Sequence, residues 1–177
     1  SIEQKQQYLR ELLRKRTTEN GIFGLKIFPH HYPENLIETI LPQPVHYIWI
    51  QRRDFVGQAI SFYFAQSLQQ WHSKRTAKGE LPPYSFKDIF EIFTDLKNLQ
   101  REWFRFFKDR NVNVYQTSFE DLSNDFEATI QNINEFLGFP DLDIPDAPIQ
   151  KQTHPLKLEF QERFINDIKA QKHKRLH

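Results

Sequence analysis

The sequence predicts an α/β fold in which helices flank both faces of a mostly parallel sheet, giving three layers. Three short apolar runs rich in β-branched residues, at 22–28, 45–50 and 112–117, have the composition of buried strands. Between them lie stretches whose apolar residues are spaced three or four apart, which indicates helices. Strands that alternate with helices of about ten to twenty residues are typical of parallel βαβ units.

The expected helices cover residues 1–16, 33–40, 54–72, 89–107, 126–137 and 156–172. The first is amphipathic and ends before Gly21, since glycine readily adopts the backbone conformation that closes a helix. The third begins at Asp54, a good N-cap residue, and every later position suits a helix except Gly57. The fourth and fifth follow from apolar spacing, with Gly138 closing the fifth. The prolines between 142 and 155 predict an irregular segment before the last, basic helix.

The composition is typical of one globular domain, residues 1–177. Lysine and arginine number 24 against 23 acidic residues, so neither a broad nucleic-acid surface nor an acidic tail is expected. No apolar run reaches the length of a membrane span. The absence of cysteine excludes disulfides and thiolate metal sites and fits a cytoplasmic protein, and the seven histidines show no metal-ligand spacing. The 17 phenylalanines are compatible with a buried homodimer interface.

The second expected strand runs directly into Arg52 and Arg53, just before a helix begins at Asp54. Ligands of parallel α/β sheets bind beyond the carboxyl ends of the strands, and a helix N-terminus favours an anion there. A guanidinium group can hold a phosphate through two parallel hydrogen bonds. Two interpretations stay open: the arginines bind a phosphate, or they are surface charges paired with Asp54 or another acid.

A narrow polar row runs along the third expected helix. Asp54, Gln58, Ser61 and Ala65 recur at i, i+4, i+7 and i+11, while nearly all other positions are apolar. A helix this apolar is expected to be largely buried, so its polar row must meet solvent, internal partners or a ligand. All three alternatives remain compatible with the residues.

Lys26 falls inside the first expected strand, where a buried charge is costly. Its ammonium group either reaches solvent at the strand end or points toward a charged substrate group. No glycine-rich phosphate loop of either common pattern occurs in the chain. The residues by themselves therefore predict an α/β domain in which the end of the second expected strand is a candidate phosphate-binding corner.

Several segments together resemble the bacterial sulfotransferase family typified by trehalose 2-sulfotransferase. The matching stretches are residues 20–26, 47–61, 65–71, 103–107, 114–122 and 136–138. Their order and spacing agree over most of the chain. The Arg-Arg-Asp-x-x-x-Gln-Ala-x-Ser block at residues 52–61 is the most specific of them.

The resemblance implies a sulfotransferase-type, P-loop-like fold and transfer of a sulfuryl group from 3′-phosphoadenosine 5′-phosphosulfate (PAPS) to a hydroxyl of a carbohydrate or similar small acceptor. It implies that Arg53 and Ser61, eight residues apart, bind the 3′-phosphate, with Arg52 as the alternative arginine. Phe119 stands at a tyrosine of the family and is implied to lie near the adenine. Lys26 matches a lysine implied to approach the transferred group. Lys151 belongs to a late basic segment implied to close over the nucleotide.

The family begins with a strand, a 5′-phosphosulfate loop and a helix that this sequence does not contain. We therefore expect the chain to be an N-terminally truncated piece of such an enzyme. One alternative is a non-catalytic nucleotide-binding or interaction module derived from the same fold. Another is a plain partner-binding α/β domain, which solvent exposure of Gln58 and Ser61 would favour.

Overall fold

The structure is a computed structural model that describes residues 2–28, 39–71, 79–146 and 155–175. It has a mixed α/β character and is mostly helical. The chain forms two compact units, residues 1–47 and 48–177. The expected helix at 33–40 falls almost entirely outside the described residues, as do residues 72–78 before Pro83.

The first unit contains helix α1, Ile2–Arg16, as predicted. The chain then turns at Gly21, whose φ of +80° is a conformation that glycine adopts without strain. The strand expected at 22–28 is wrong, because the segment is irregular in the structure. A strand requires a neighbouring strand for its backbone hydrogen bonds, and this segment joins no ladder with any described residue.

The second unit follows the expected alternation of strands and helices. Its elements are β1 (Tyr47–Gln51, whose first residue ends the other unit), α2 (Phe55–Leu68), α3 (Phe86–Arg110), β2 (Val114–Ser118), α4 (Phe119–Asn124), α5 (Phe126–Leu137) and α6 (Pro155–Arg175). Helix α2 ends four residues earlier than expected, where Gln69 takes a left-handed conformation and caps it. Helix α4 was not expected from the sequence. No described helix combines the length and apolarity needed to cross a membrane.

The core of the second unit lies between α2, α3 and α6. Its buried members are Ala59, Ile60, Tyr63 and Phe64 of α2, Ile89 of α3, and Phe160 and Phe164 of α6. Phe64 meets Phe160 edge-on with ring centroids 5.3 Å apart, and the tyrosine hydroxyl of α2 donates to the carbonyl of Pro83 at 2.8 Å. This three-helix core holds α2 rigidly, and α2 carries the polar row noted in the sequence.

Strands β1 and β2 form a small parallel sheet. The Gln51 side chain donates to Gln116 of β2 and accepts a 2.7 Å hydrogen bond from Gln100, which joins the two strands to α3. On the opposite face of β2, Tyr115 packs on Phe136 of α5 with ring centroids 5.5 Å apart. Helices therefore contact both faces of the sheet, and the wider three-layer arrangement stays a prediction.

Residues 45–50 were expected to form a buried strand. The strand forms, but only one of its two faces is partly buried. Side chains alternate along β1, and those facing α3 are partly buried, as Trp49 is against Phe107 at 5.4 Å. Ile48 and Ile50 point the other way and remain 38% and 55% exposed. An apolar run therefore predicts a strand without specifying that both of its faces are covered.

Candidate functional site

The junction between β1 and α2 is held by the N-cap that the sequence predicts. The Asp54 carboxylate accepts a 2.8 Å hydrogen bond from the backbone N–H of Gly57. A Cβ at residue 57 would overlap the Asp54 carboxylate. Glycine at this position, although a poor helix former, therefore leaves room for the N-cap hydrogen bond. The junction and its two arginines thus have a defined backbone geometry.

A second carboxylate, from α4, clamps the same junction. Glu120 accepts hydrogen bonds from the backbone N–H of Arg53 at 3.1 Å and of Asp54 at 3.4 Å. Its Oε1 also lies 3.9 Å from the Arg52 guanidinium. Glu120 therefore uses two backbone donors just before the helix, and Asp54 uses the Gly57 N–H of its first turn.

The pKa of Glu120 reflects this position. Partial burial acts to raise the pKa, but hydrogen bonds from the backbone N–H groups of Arg53, Glu120 and Asp54 and the charge of Arg52 outweigh it. The pKa therefore lies below its ordinary value, and the group is ionised at neutral pH.

Arg53 is paired with the neighbouring acid. Its Nη2 donates to Asp121 at 2.7 Å, and the side chain is 60% exposed. Asp121 also closes a capping box with Ser118, and hydrogen bonds from Ser118 and then Arg53 lower the pKa of its carboxyl group. Arg53 is thus paired with an acid, which is Asp121. One Nη2 contact leaves other guanidinium donors available for a ligand.

Arg52 makes a close cation–π contact with Phe119, with its Cζ 3.7 Å from the ring centroid. Burial lowers the pKa of Arg52 against the opposing effect of Glu120 and Asp54, and the group remains charged at neutral pH. The ends of the two parallel strands therefore bring Arg52, Arg53 and Phe119 into one cluster, which we call the strand-end cluster together with Glu120 and Asp121.

The other three predicted site residues, Ser61, Lys26 and Lys151, come from other segments of the chain. Ser61 is half-buried on α2, about two turns beyond the helix start. Lys26 belongs to the first unit, where it is exposed and its Nζ lies 5.2 Å from the Phe28 ring centroid. The premise that Lys26 sits inside a strand is wrong, because no strand forms there. Lys151 lies outside the described residues.

Two functional candidates were missed from the sequence. Glu120 was noted only as part of a family segment, although its position two residues after a strand was a signal that it lies near the other strand end. Lys157, on the first turns of α6, is half-buried and its Nζ lies 5.6 Å from the Phe64 ring centroid. Nothing local in the sequence distinguishes Lys157 from the other lysines of a basic helix.

An open polar groove of about 300 Å³ lies beside the strand-end cluster. Its lining consists of Tyr115, Gln116, Thr117, Asp121, Asn124, Asp125, Ala128, Thr129 and Asn132. Two carboxylates in this lining oppose the binding of an anion, so the groove is not suited to a nucleotide phosphate. Among the described residues, no cluster of three or more His, Asp or Glu side chains has the geometry of a metal site.

The arginines follow the carboxyl end of β1, and the segment Phe119–Asp121 follows the carboxyl end of β2. This arrangement fits the class of protein that the sequence resembles. The chain belongs to the Stf0 sulphotransferase family, whose model matches residues 1–167. This confirms the predicted family.

A particular relative is Trehalose 2-sulfotransferase of Mycolicibacterium smegmatis (strain ATCC 700084 / mc(2)155). It is 26% identical to the chain over 124 residues, which cover 68% of the chain and 45% of the relative. The chain thus spans about half the length of the curated relative that it matches.

Proposed function

We propose that the chain forms part of a sulfotransferase that moves a sulfuryl group from PAPS to a hydroxyl of a carbohydrate or similar small acceptor. Membership of the Stf0 family supports the reaction class, and the relative that acts on trehalose supports a sugar acceptor. The proposed fold is the three-layer sulfotransferase arrangement, in which β1 and β2 are two of the parallel strands. The observation that carries the proposal is the strand-end cluster.

The cluster offers the groups that a phosphorylated adenosine needs. Arg53 keeps guanidinium donors beyond the one held by Asp121, and we propose that it binds the 3′-phosphate together with Ser61. Asp121 then orients the Arg53 guanidinium. Phe119 presents an aromatic ring whose one face is covered by Arg52, so a stacked adenine meets either the free ring face or the guanidinium plane.

When bound, the donor supplies a sulfuryl group whose bond to the phosphate oxygen breaks as a bond to the acceptor oxygen forms. We propose that Lys26 stabilises the negative charge that develops on the phosphate oxygen as its bond to sulfur breaks. Lys151 is proposed to complete the closure over the nucleotide. No other role in the reaction is proposed for this chain.

The proposal is tested by titrating the full chain with adenosine 3′,5′-bisphosphate in a calorimeter. We expect saturable binding that Arg53→Ala weakens by about 10- to 100-fold, because one charge-assisted hydrogen bond contributes about 1.5–3 kcal/mol. Arg105→Ala is the matched control, since Arg105 is an exposed residue of α3 away from the strand-end cluster. Equal affinities for Arg53→Ala and Arg105→Ala would contradict the proposed role of Arg53, and no binding by the wild-type chain would contradict the proposed function.

A second candidate function is a non-catalytic nucleotide-binding or interaction module of the same fold. It is favoured by Glu120, whose carboxylate occupies two backbone N–H donors beside the arginines of the β1–α2 junction. The two functions are separated by incubating the full chain with sulfur-labelled PAPS and trehalose. Labelled sugar formed by this chain would rule out the non-catalytic module.

A further inference from the structure

The seam between α2 and α6 contains polar groups that the strand-end cluster does not use. Phe64 and Phe160 pack at the middle of this seam, with ring centroids 5.3 Å apart. At one end, the Gln161 amide donates to both oxygens of Asp54 at 3.3 and 3.4 Å. Lys157 extends over the Phe64 ring. One helix turn separates Lys157 from Gln161, so both face α2.

Lys157 is a half-buried cation without a counter-ion in the described part of the chain. Its pKa is lowered by burial, and no described acid offsets that effect. The eight residues before α6 contain no aspartate or glutamate either. Partial burial of an ammonium group without a counter-ion costs stability, and a ligand of opposite charge would offset that cost.

Ser61 is unusual among the helical hydroxyl groups of this protein. Ser67, Thr94, Ser123 and Thr129 each donate to the backbone carbonyl four residues earlier, at 2.6 to 3.0 Å. Ser61 makes no such bond and has no hydrogen-bond partner among the residues that the structure describes. Its hydroxyl is therefore free to donate to a ligand beside the helix.

The two groups lie at the same level of the seam. Ser61 precedes Phe64 by three residues, and residues three apart on a helix are surface neighbours about 5–6 Å apart at Cβ. The Lys157 Nζ lies 5.6 Å from the centroid of that same phenylalanine ring. A cation and a hydroxyl donor are thus placed around one short stretch of α2, and an anion with several acceptor oxygens suits both of them.

We propose that Lys157 and Ser61 form an anion subsite at the α2–α6 seam that takes a phosphate monoester. The inference rests on the proposed function, in which Ser61 binds the 3′-phosphate, and it adds Lys157 as a residue that supplies the charge. Lys157 is distinct from Lys151 of the preceding segment and from Arg53, whose guanidinium is already shared with Asp121.

The test uses the full chain with Lys157→Met, which keeps an unbranched apolar side chain against Phe64 and removes the charge. Lys157→Arg restores the charge, and Lys169→Met is the control on the same helix at an exposed position. Each variant is titrated with adenosine 3′,5′-bisphosphate and with adenosine 5′-monophosphate. Thermal unfolding is followed with and without inorganic phosphate.

We expect Lys157→Met to bind the bisphosphate about 10- to 100-fold more weakly than wild type. Its affinity for adenosine 5′-monophosphate should change little. Lys157→Arg should recover most of the affinity, and Lys169→Met should match wild type. Without ligand, Lys157→Met should unfold at the same temperature as wild type or higher, because an unpaired half-buried charge has been removed. A purely structural role for Lys157 predicts a lower unfolding temperature instead.

The outcomes separate this inference from the proposed function. Equal bisphosphate affinities of wild type and Lys157→Met overturn the subsite and leave the proposed function standing. If wild type binds no nucleotide but inorganic phosphate raises its unfolding temperature through Lys157, the proposed function fails and the anion subsite stands. If neither ligand acts on wild type, both fail. Non-additive losses in Ser61→Ala combined with Lys157→Met would further show that both residues contact one phosphate.

Discussion

Replacing Glu120 with glutamine tests whether its carboxylate holds the β1–α2 junction. Each carboxylate oxygen accepts one backbone N–H, from Arg53 at 3.1 Å and from Asp54 at 3.4 Å. A glutamine can offer an oxygen to only one of these donors, and its NH₂ group must face the other. The Glu120→Gln variant therefore loses one hydrogen bond, weakens the second and abolishes the attraction to Arg52 at 3.9 Å.

The structure supports a loss of about 2 kcal/mol. Hydrogen bonds to a charged group contribute about 1.5–3 kcal/mol when well formed, and these two are of ordinary to long length. The Glu120 side chain is 20% exposed and that of Arg52 is 33% exposed, so solvent screens the ion pair to a few tenths of a kcal/mol. With a denaturant dependence of about 2 kcal/mol per molar urea, the unfolding midpoint should fall by about 1 M.

The assay is urea unfolding followed by tryptophan fluorescence, since all three tryptophans lie in the second unit. Glu127→Gln is the matched control, because Glu127 is an exposed residue of the neighbouring helix α5. A midpoint for Glu120→Gln within 0.2 M of the control, about a fifth of the predicted shift, would refute the clamp.

The pH dependence gives a second check. The pKa of Glu120 is lower in the folded protein than its ordinary value of 4.5. Its contribution to stability is therefore complete above pH 4.5 and is lost as the pH falls through the folded-state pKa. The stability gap between wild type and Glu120→Gln should narrow from pH 7 to pH 3. A gap of constant size would mean that the carboxylate charge is not responsible.

Two further substitutions test the packing around α2 and α6. Gly79→Ala should destabilise the second unit by about 1–3 kcal/mol in urea unfolding, because the new Cβ would overlap the backbone carbonyl of Ser67. Gly24→Ala, where a Cβ meets nothing within 4 Å, should be nearly neutral, and equal effects at both glycines would count against the packing argument. Tyr84→Phe should cost about 1–2 kcal/mol by removing the 2.7 Å hydrogen bond to Asp167. Burial and then this bond raise the pKa of Tyr84 above its ordinary value of 10.0. Wild type should therefore lose the stability contributed by the protonated Tyr84 as the pH rises beyond 10, whereas Tyr84→Phe has no such contribution to lose.

In the strand-end cluster, two carboxylates from a distant segment hold the β1–α2 junction and its Arg53 side chain in place. Glu120 fixes the backbone of Arg53 and Asp54, and Asp121 fixes the Arg53 guanidinium at one nitrogen. Both acids come from the first turn of α4, which itself begins at the end of β2. The parallel pairing of β1 and β2 therefore positions the arginines through carboxylates that are 66 to 68 residues away in sequence.

Helix ends marked by an N-cap aspartate or a C-terminal glycine are predictable, because those signals are local. Asp54 was recognised as an N-cap and accepts the expected hydrogen bond from the first turn of α2. Gly138 closes α5 with a φ of +81°, as a C-terminal glycine should. The left-handed C-caps at Gln69 and Asn111 were not predicted, since a non-glycine residue gives little sign of that conformation.

The amino-acid sequence by itself determined the family, the order of most strands and helices, and the strand end at which Arg52 and Arg53 lie. These depend on residue identity, short spacings and apolar periodicity, all of which are readable within about twenty residues of chain. Only the tertiary structure decided that Arg53 meets Asp121, that Glu120 clamps the helix start, and that Lys157 lies over Phe64. Each of these contacts joins elements far apart in sequence, so its geometry exists only once the strands have paired and α6 has packed against α2.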